Sequence, residues 1–166
     1  YLWSSTFDAS GLTGSPTFSL ASAIAQVSGA NQASGLVDAD APIIVTPAGV
    51  FFSSNSADLV SSDTNGVQDA FLRSPTQATS RVALQGLGEL NAGASFLSAS
   101  SSGRFAAMLT SSPEVSGAPG VQQMVVLDTQ TGAWHVASQN GNVLANDLVV
   151  GGVMAPNGAV VAFTSA

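Results

Sequence analysis

Cysteine and lysine are both missing from this sequence of 166 residues, and its only strong cations are Arg73, Arg81 and Arg104. A chain without cysteine forms no disulfide, zinc ribbon or thiol nucleophile. Three arginines are too few to neutralise a phosphate backbone, so the sequence argues against a nucleic-acid partner. The ten acidic residues are scattered, and we interpret the net charge of −7 as a solubility feature rather than an acidic tail.

Long hydrophobic runs are also missing, although hydrophobic residues make up 45% of the chain and charged residues only 8%. The longest apolar stretches, at 41–45 and 159–163, fall far short of the roughly 18 residues that span a membrane. We therefore predict a soluble chain with no membrane span. Because residue 1 is Tyr and no signal-peptide pattern follows it, we interpret the chain as a processed or trimmed product.

A repeat of about 54 residues organises the sequence. Residues 49–54, 103–108 and 158–163 each begin with a glycine that precedes an apolar stretch, and these glycines fall 54 and then 55 residues apart. Several further columns keep the same offset, and a fainter copy precedes them. Self-similarity at such a spacing indicates a repeat architecture. We predict one repeat domain over 1–166, with approximate repeats 1–48, 49–102 and 103–157, and with 158–166 starting the next.

Each repeat contains about four short apolar stretches separated by turn residues, which predicts an all-β protein without helices. The predicted strands of the two best-defined repeats cover 50–53, 69–73, 81–84 and 94–98, and then 104–109, 124–128, 134–137 and 148–153. A β-sandwich also has many short strands, but it has no reason to repeat its sequence at a fixed interval. The period therefore favours about three four-stranded antiparallel blades of a β-propeller.

One repeat also carries a family pattern. It comprises SADLV at 56–60, DTNGVQDAFLR at 63–73, SRV at 80–82 and a stretch from Leu97-Ser98 to Gly103-Arg104-Phe105. These residues resemble the secreted bacterial β-propeller repeats of the TolB/PD40-like group, a relative of the WD40 class. The match is good over 49–110, about a third of the chain, and weak elsewhere. The resemblance implies a secreted, extracellular or periplasmic bacterial propeller that binds or scaffolds, and it does not imply an enzyme.

The sharpest polar constellation is the segment 63–69, where Asp63, Asn65 and Asp69 place oxygens at positions 1, 3 and 7 around Gly66. Ca²⁺ prefers six to eight oxygen ligands, and such a loop supplies three side chains and a backbone carbonyl. The segment therefore predicts a Ca²⁺ site at these three residues, and we predict no other cofactor. The alternative is an Asn-Gly turn in which the two aspartates cap local backbone N–H groups.

No conventional catalytic constellation is evident. His135 is the only histidine and follows Trp134 in an alternating strand, so we expect one of the two to face inwards and the other outwards. No second histidine or cysteine completes a transition-metal site, and no Gly-x-Ser-x-Gly elbow or lysine base is present. Asp38 and Asp40 could pair as acid and base, but we interpret them as part of a solvated loop. We therefore predict that the chain is not an enzyme.

Aromatic side chains offer another kind of site. Trp3, Trp134 and the pair Phe51-Phe52 could form a ligand platform, because aromatic rings combine a large apolar face with a defined geometry. Their positions in predicted strands favour burial between blades instead, and this is the interpretation we prefer.

Ring closure limits what the chain can do by itself. A propeller closes with four to eight blades, and the sequence supplies about three, so we expect the propeller to be incomplete alone. The expected partners are further blades of a longer parent, or copies of the chain in a ring or a filament. Two functions stay open: a non-catalytic extracellular structural or interaction module, and a carbohydrate- or peptide-binding propeller, hydrolytic or not, whose site lies partly in the missing blades.

Overall fold

Short antiparallel strand pairs begin the fold of this protein. The computed structural model describes residues 42–117 and 120–165, and before them only strand residues. These early strands are β1 (Leu2–Ser4), β2 (Phe7–Asp8), β3 (Gly11–Leu12), β4 (Thr17–Ser19), β5 (Ala23–Ile24) and β6 (Ser28–Gly29). Strand β1 pairs with β4, β2 with β3, and β5 with β6. Asp38 and Asp40 lie outside the described residues.

Two four-stranded antiparallel sheets form the centre of the described chain. The first sheet contains β7 (Ile44–Thr46), β8 (Gly49–Ser54), β9 (Asp69–Arg73) and β10 (Thr79–Arg81). The second sheet contains β11 (Ala94–Ala99), β12 (Phe105–Thr110), β13 (Gln123–Asp128) and β14 (Trp134–Val136). In both sheets the spatial order of the strands follows the chain, so each strand pairs with the next one in sequence.

Two hairpins and a single helical turn complete the described elements. Helix α1 (Pro113–Ser116) lies between β12 and β13, although the sequence predicted no helix. Its proline stands at the first turn and Gly117 ends it with a left-handed φ of 70°, which are favourable residues for these two positions. The hairpins are β15 (Gln139–Asn140) with β16 (Val143–Leu144), and β17 (Val149–Met154) with β18 (Val161–Ser165).

Seven of the eight predicted strands are found, whereas the strand predicted at 81–84 overlaps β10 (Thr79–Arg81) by one residue because residues 82–84 belong to a loop. The grouping of the strands into sheets also differs from the sequence repeats. The stretch at 94–98 was grouped with the strands of repeat 49–102, whereas β11 pairs with β12 and begins the second sheet. The reason is the length of the connections. Only residues 100–104 separate β11 from β12, which suits an antiparallel hairpin, while residues 82–93 separate β10 from β11. Each sheet therefore starts one strand before the repeat glycine.

Apolar residues on both faces of the second sheet bury it between its neighbours. Along β12, Ala106 and Met108 belong to one core cluster, which also contains Phe51 of the first sheet. The alternate residues Ala107 and Leu109 belong to a second cluster, shared with β17. This alternation follows from the period of two in a β-strand. Each sheet therefore needs a neighbour on both faces.

Tight turns fix how successive units lie on one another. Gly103, in the turn between β11 and β12, has a φ of 75°, and a Cβ there would lie 2.2 Å from Thr46 Oγ1 of the first sheet. Gly158, in the turn between β17 and β18, also has a φ of 75°, and its Cβ would lie 2.5 Å from Phe105 Cδ2 of the second sheet. Both positions need glycine for conformation and for space. A repeat glycine thus lies against the preceding unit at two successive interfaces, although it meets the first strand in one case and the second strand in the other.

The all-β class is confirmed, with antiparallel sheets throughout the described residues. These residues form no closed barrel or propeller, so the number of blades stays a prediction. Within the same part of the chain, no helix has the length and apolar character needed to cross a membrane.

Candidate functional site

Longer loops gather at one end of the two sheets. In an antiparallel meander the connections alternate between the two ends, so the short turns at 47–48 and 74–78 lie opposite the loops at 55–68 and 82–93. The loops of the first sheet reach those of the second, because Ala92 N–H donates to Ser112 Oγ at 3.3 Å. We call this end the loop end.

Three carboxylates meet at the loop end of the first sheet. Asp63 lies in the loop 55–68, Asp69 is the first residue of β9, and Glu89 lies in the loop 82–93. One oxygen from each falls within 4.8 Å of the others, and Asp69 is 2% exposed. We call Asp63, Asp69 and Glu89 the acidic cluster. The sequence pattern identified Asp63 and Asp69 but missed Glu89, because no local spacing connects residues that meet only through loop packing.

Arg81 supplies the positive charge that the acidic cluster faces. Its Nη1 lies 3.2 Å from Asp69 Oδ2 and also contacts Glu89 Oε1, while its Nη2 donates to Ser62 O at 3.1 Å. Arg81 is the last residue of β10, so the strand positions its side chain beside the start of β9. A guanidinium therefore neutralises part of the charge that a metal ion would otherwise have to neutralise.

Asn65 joins the residues around it through hydrogen bonds. Its Nδ2 donates to Leu90 O at 2.9 Å and to Asp69 Oδ1 at 3.2 Å. Its Oδ1 accepts a hydrogen bond from Val67 N at 3.0 Å, which is an Asx turn. An amide oxygen has two lone pairs, so this bond leaves one lone pair available. The Ca²⁺ site at Asp63, Asn65 and Asp69 stays a prediction.

The three carboxyl groups differ in their pKa values. Two hydrogen bonds from Thr64, through Oγ1 at 2.6 Å and N at 2.9 Å, together with Arg81, hold the pKa of Glu89 at about 2. Burial raises the pKa of Asp69, against the opposing effects of Asn65 and Arg81. Burial also raises the pKa of Asp63, whose Oδ2 is buried without a hydrogen-bond partner among the described residues.

The second sheet has a neutral arrangement at the equivalent place. Gln123 begins β13 as Asp69 begins β9, and its Nε2 donates to Ala145 O at 2.8 Å. Ala145 follows Leu90 by 55 residues, so the accepting carbonyls occupy matching positions of the repeat. Ser138 Oγ donates to Gln123 Oε1 at 2.6 Å and accepts from Met124 N at 2.9 Å. In both sheets a side-chain amide thus donates to the carbonyl at this position, from the loop 55–68 in the first sheet and from β13 in the second. The bonds in the second sheet involve no charged side chain.

A cleft of about 240 Å³ borders the acidic cluster. Its lining combines Asp69, Arg81 and Glu89 with apolar residues such as Leu87 and Leu90. This volume lies below the roughly 300–1,000 Å³ typical of small-molecule sites. The cleft can admit water or a small ion more readily than a substrate.

The remaining predicted residues lie away from this cluster. His135 is exposed on β14, while Trp134 is half-buried and its Nε1–H donates to Gln85 O at 3.1 Å, so the expected alternation is confirmed. Phe51 and Phe52 are 0% and 2% exposed, which confirms that they belong to the core. Trp3 lies in β1, and its side chain is outside the described part of the structure.

Comparison with known proteins gives this site no counterpart. Neither the protein-family models nor the curated proteins compared with the chain match it.

Proposed function

We propose that the chain is a non-catalytic structural or interaction module, a β-propeller segment of the TolB/PD40-like kind that acts outside the bacterial cytoplasm. Its sheets are completed by further blades or by copies of the chain. The observation that carries this proposal is that the repeat glycine of each later unit lies against the unit before it, Gly103 at Thr46 and Gly158 at Phe105. Units that each lie against the preceding one form a series in which each covers its neighbour.

Burial on both faces supports this proposal. Phe51 of the first sheet and Phe96 of the second pack edge to face, with ring centroids 5.1 Å apart. The next interface joins Met124 of β13 to Val149 and Met154 of β17. A sheet with apolar residues on both faces is stable only between two neighbours, which is the arrangement of a blade within a ring.

The charged groups favour a structural role over catalysis. Arg81 lies among the acidic cluster, and Arg104 Nη2 pairs with Asp128 Oδ2 at 3.0 Å. A catalytic acid or base needs access to a substrate. The bond of Glu89 to Thr64 instead joins the loops 82–93 and 55–68, and the bond of Asp69 to Asn65 joins β9 to the loop 55–68. We infer that the cluster holds the loop end together.

The test is a turnover panel combined with native mass spectrometry of the full chain. We expect no hydrolysis of glycoside, ester or peptide substrates above the buffer rate, and masses that are multiples of the 16.5 kDa chain. The matched variant is Glu89→Gln, which removes one carboxylate charge and keeps the shape of the side chain. Turnover by the native chain that this variant loses would overturn the proposal.

A carbohydrate- or peptide-binding propeller is the second candidate, and one depression at the loop end favours it. It has a volume of about 420 Å³ and includes Gln68, Gln122, Ser95 and Ser111 in its lining. Gln68 and Gln122 lie 54 residues apart and so occupy equivalent repeat positions. Amides and hydroxyls both donate and accept hydrogen bonds, as sugar hydroxyls and peptide groups require. The depression therefore offers neutral recognition rather than charge.

A glycan array and a peptide array on the full chain test this second candidate. We expect binding, if it occurs in this depression, to fall in the Gln122→Ala variant. The Gln130→Ala variant is the control, because Gln130 is exposed in the turn between β13 and β14. Equal binding by both variants would place any ligand elsewhere.

A further inference from the structure

Asparagine directly precedes glycine at three places in this chain, which are Asn65-Gly66, Asn140-Gly141 and Asn157-Gly158. Asparagine is a thermolabile residue, and glycine has no side chain to hinder the approach of its main-chain nitrogen to the asparagine side chain. In such a pair the glycine nitrogen can attack the side-chain carbonyl carbon, Cγ. Because the following residue is the same in all three pairs, differences in their reactivity in the folded chain should come chiefly from the structure around them.

The reaction that follows this attack needs only water. The glycine nitrogen forms a bond to Cγ, and the bond from Cγ to the amide nitrogen breaks. The proton of the glycine N–H passes to solvent, and the amide nitrogen takes up a proton from solvent and leaves as ammonia. Water then opens the cyclic succinimide at either of its carbonyl carbons, which gives aspartate or isoaspartate. The attack therefore requires a glycine N–H without a hydrogen bond and an asparagine side chain that is able to turn towards it.

Hydrogen bonds at both polar atoms of its side chain restrain Asn65. Nδ2 donates to Leu90 O at 2.9 Å and to Asp69 Oδ1 at 3.2 Å, while Oδ1 accepts from Val67 N at 3.0 Å. Cγ cannot turn towards Gly66 N while these bonds persist. The loop 55–68 therefore has to open locally before the pair can react, and local opening costs free energy in proportion to the contacts that it breaks.

The pair at Asn157 is restrained through its glycine as well. Gly158 N donates to Ala155 O at 2.8 Å, so the attacking nitrogen is already engaged in the turn between β17 and β18. Asn157 Oδ1 accepts from Ala159 N at 3.0 Å, and the turn lies against Phe105 of the second sheet. Both hydrogen bonds have to break before the nitrogen can reach Cγ.

The pair at Asn140 lacks these restraints. Among the described residues, no hydrogen bond engages the Asn140 side chain or Gly141 N, and both residues are exposed. The hairpin that carries them, β15–β16, is joined by two residue pairs, Gln139 with Leu144 and Asn140 with Val143. A two-stranded hairpin of this kind is only marginally stable by itself. Opening its tip breaks few contacts and frees Cγ to turn towards the nitrogen.

We propose that Asn140 is the site at which the folded chain deamidates spontaneously, and that the folded structure protects Asn65 and Asn157 from the same reaction. The product adds a negative charge to the connection between β14 and β17, which holds the neutral bond from Gln123 to Ala145. Isoaspartate also adds one carbon to the main chain of β15 and disrupts its pairing with Val143. The inference does not depend on the proposed function.

Ageing of the full native chain at mildly alkaline pH tests this proposal. Peptic digestion at acid pH and mass spectrometry with fragmentation measure the aspartate and isoaspartate formed at each site, and the chain aged in guanidinium gives each site an unfolded reference. We expect Asn140 to react at a rate close to its reference. Asn65 and Asn157 should react at least about tenfold more slowly than theirs, a factor that corresponds to about 1.4 kcal/mol of restraint. The proposal is overturned if either reacts as fast as Asn140 in the folded chain, or if folding slows all three equally.

Asn140→Gln and Asn142→Gln form a matched pair of variants. Asn142 is exposed in the same turn, but Val143 rather than glycine follows it. Isoelectric focusing of the aged proteins should show a more acidic species in the native chain and in Asn142→Gln. Over the same time, Asn140→Gln should show none, because ring closure from the longer glutamine side chain is slower. Persistence of the acidic species in Asn140→Gln would place the modification elsewhere and overturn the assignment.

Discussion

The loop ends of the two complete sheets each contain a side-chain amide that donates to a loop carbonyl, but the side chains around the two amides differ. In the first sheet, Asn65 reaches the carbonyl of Leu90 beside a buried aspartate and an arginine. In the second sheet, Gln123 reaches the carbonyl of Ala145 with only a serine beside it. An amide-to-carbonyl bond is common to both, whereas the charges are not. The comparison teaches that an amide can hold this loop carbonyl in place with charged neighbours or without them.

Arg81→Ala should produce the largest effect, because it removes the positive charge from the acidic cluster. Breaking a buried ion pair is costly, and the partial exposure of Arg81 and Glu89 reduces that cost, so we expect a loss of about 2–3 kcal/mol in the free energy of unfolding. Urea unfolding followed by circular dichroism measures it. The matched control is Arg104→Ala, whose side chain is 50% exposed, and its loss should be much smaller. Similar losses would show that the cluster has no special role.

Gln123→Ala and Asn65→Ala should give the next largest losses in the free energy of unfolding, and they compare the amide of one sheet with that of the other. Gln123 is fully buried, and its removal takes the acceptor from the Ser138 hydroxyl and the side-chain donor from the Ala145 carbonyl, so we expect a loss of about 2 kcal/mol. Asn65 is only half-buried, and its loss should be nearer 1 kcal/mol. Both are measured by the same urea titration. A larger loss for Asn65→Ala would mean that the charged arrangement depends on the amide more than the neutral one does.

Lowering the pH should reduce the stability of the first sheet, because Glu89 becomes protonated. The pKa of Glu89 lies at about 2 in the folded protein, below its ordinary value of 4.5, so the ionised group contributes stability above pH 4.5. That contribution is lost as the pH falls from 4.5 towards 2. Burial raises the pKa of Asp63 and Asp69, so their protonation relieves the folded state and opposes this loss. Glu89→Gln should therefore flatten the decline of the urea midpoint over this range, and an equally steep decline in this variant would contradict the role of Glu89.

Ca²⁺ should produce the smallest effect on the native chain and a larger one on Arg81→Ala. Arg81 already faces the three carboxylates, and removing it leaves oxygens that a hard cation prefers. Melting temperatures in Ca²⁺ and in chelator, for both proteins, measure the difference. A large Ca²⁺-dependent rise in the native chain would favour the site predicted at Asp63, Asn65 and Asp69. An equal change of melting temperature in the two proteins would show that Arg81 does not compete with Ca²⁺ for the carboxylates.

The local sequence pattern predicted most strands well. It failed where contacts between residues distant in sequence decide the conformation. The strand predicted at 69–73 is β9 itself, since alternation and turn residues are readable in a few residues. The strand predicted at 81–84 is shifted: β10 covers Thr79–Arg81, and Leu84 instead enters the core from the loop, 1% exposed. An apolar residue predicts burial, but it does not distinguish a strand from a packed loop.

The candidate site shows the same limit. Asp63 and Asp69 were found because they are near in sequence, and a turn brings them together. Arg81 and Glu89 join them only through the pairing of β10 with β9 and through the packing of the loop 82–93. Asn65 was assigned as a ligand from its residue type, and its amide orientation is set by Val67 and by the distant Leu90. Residue types indicate which groups are available, and tertiary contacts decide their use.

The glycine turns at 103 and 158 also set the distance of closest approach between each turn and the unit before it. A methyl group at either position would overlap Thr46 Oγ1 or Phe105 Cδ2. Even the smallest side chain would therefore force those neighbours to move, so the absence of a single carbon atom limits how tightly two successive units can pack.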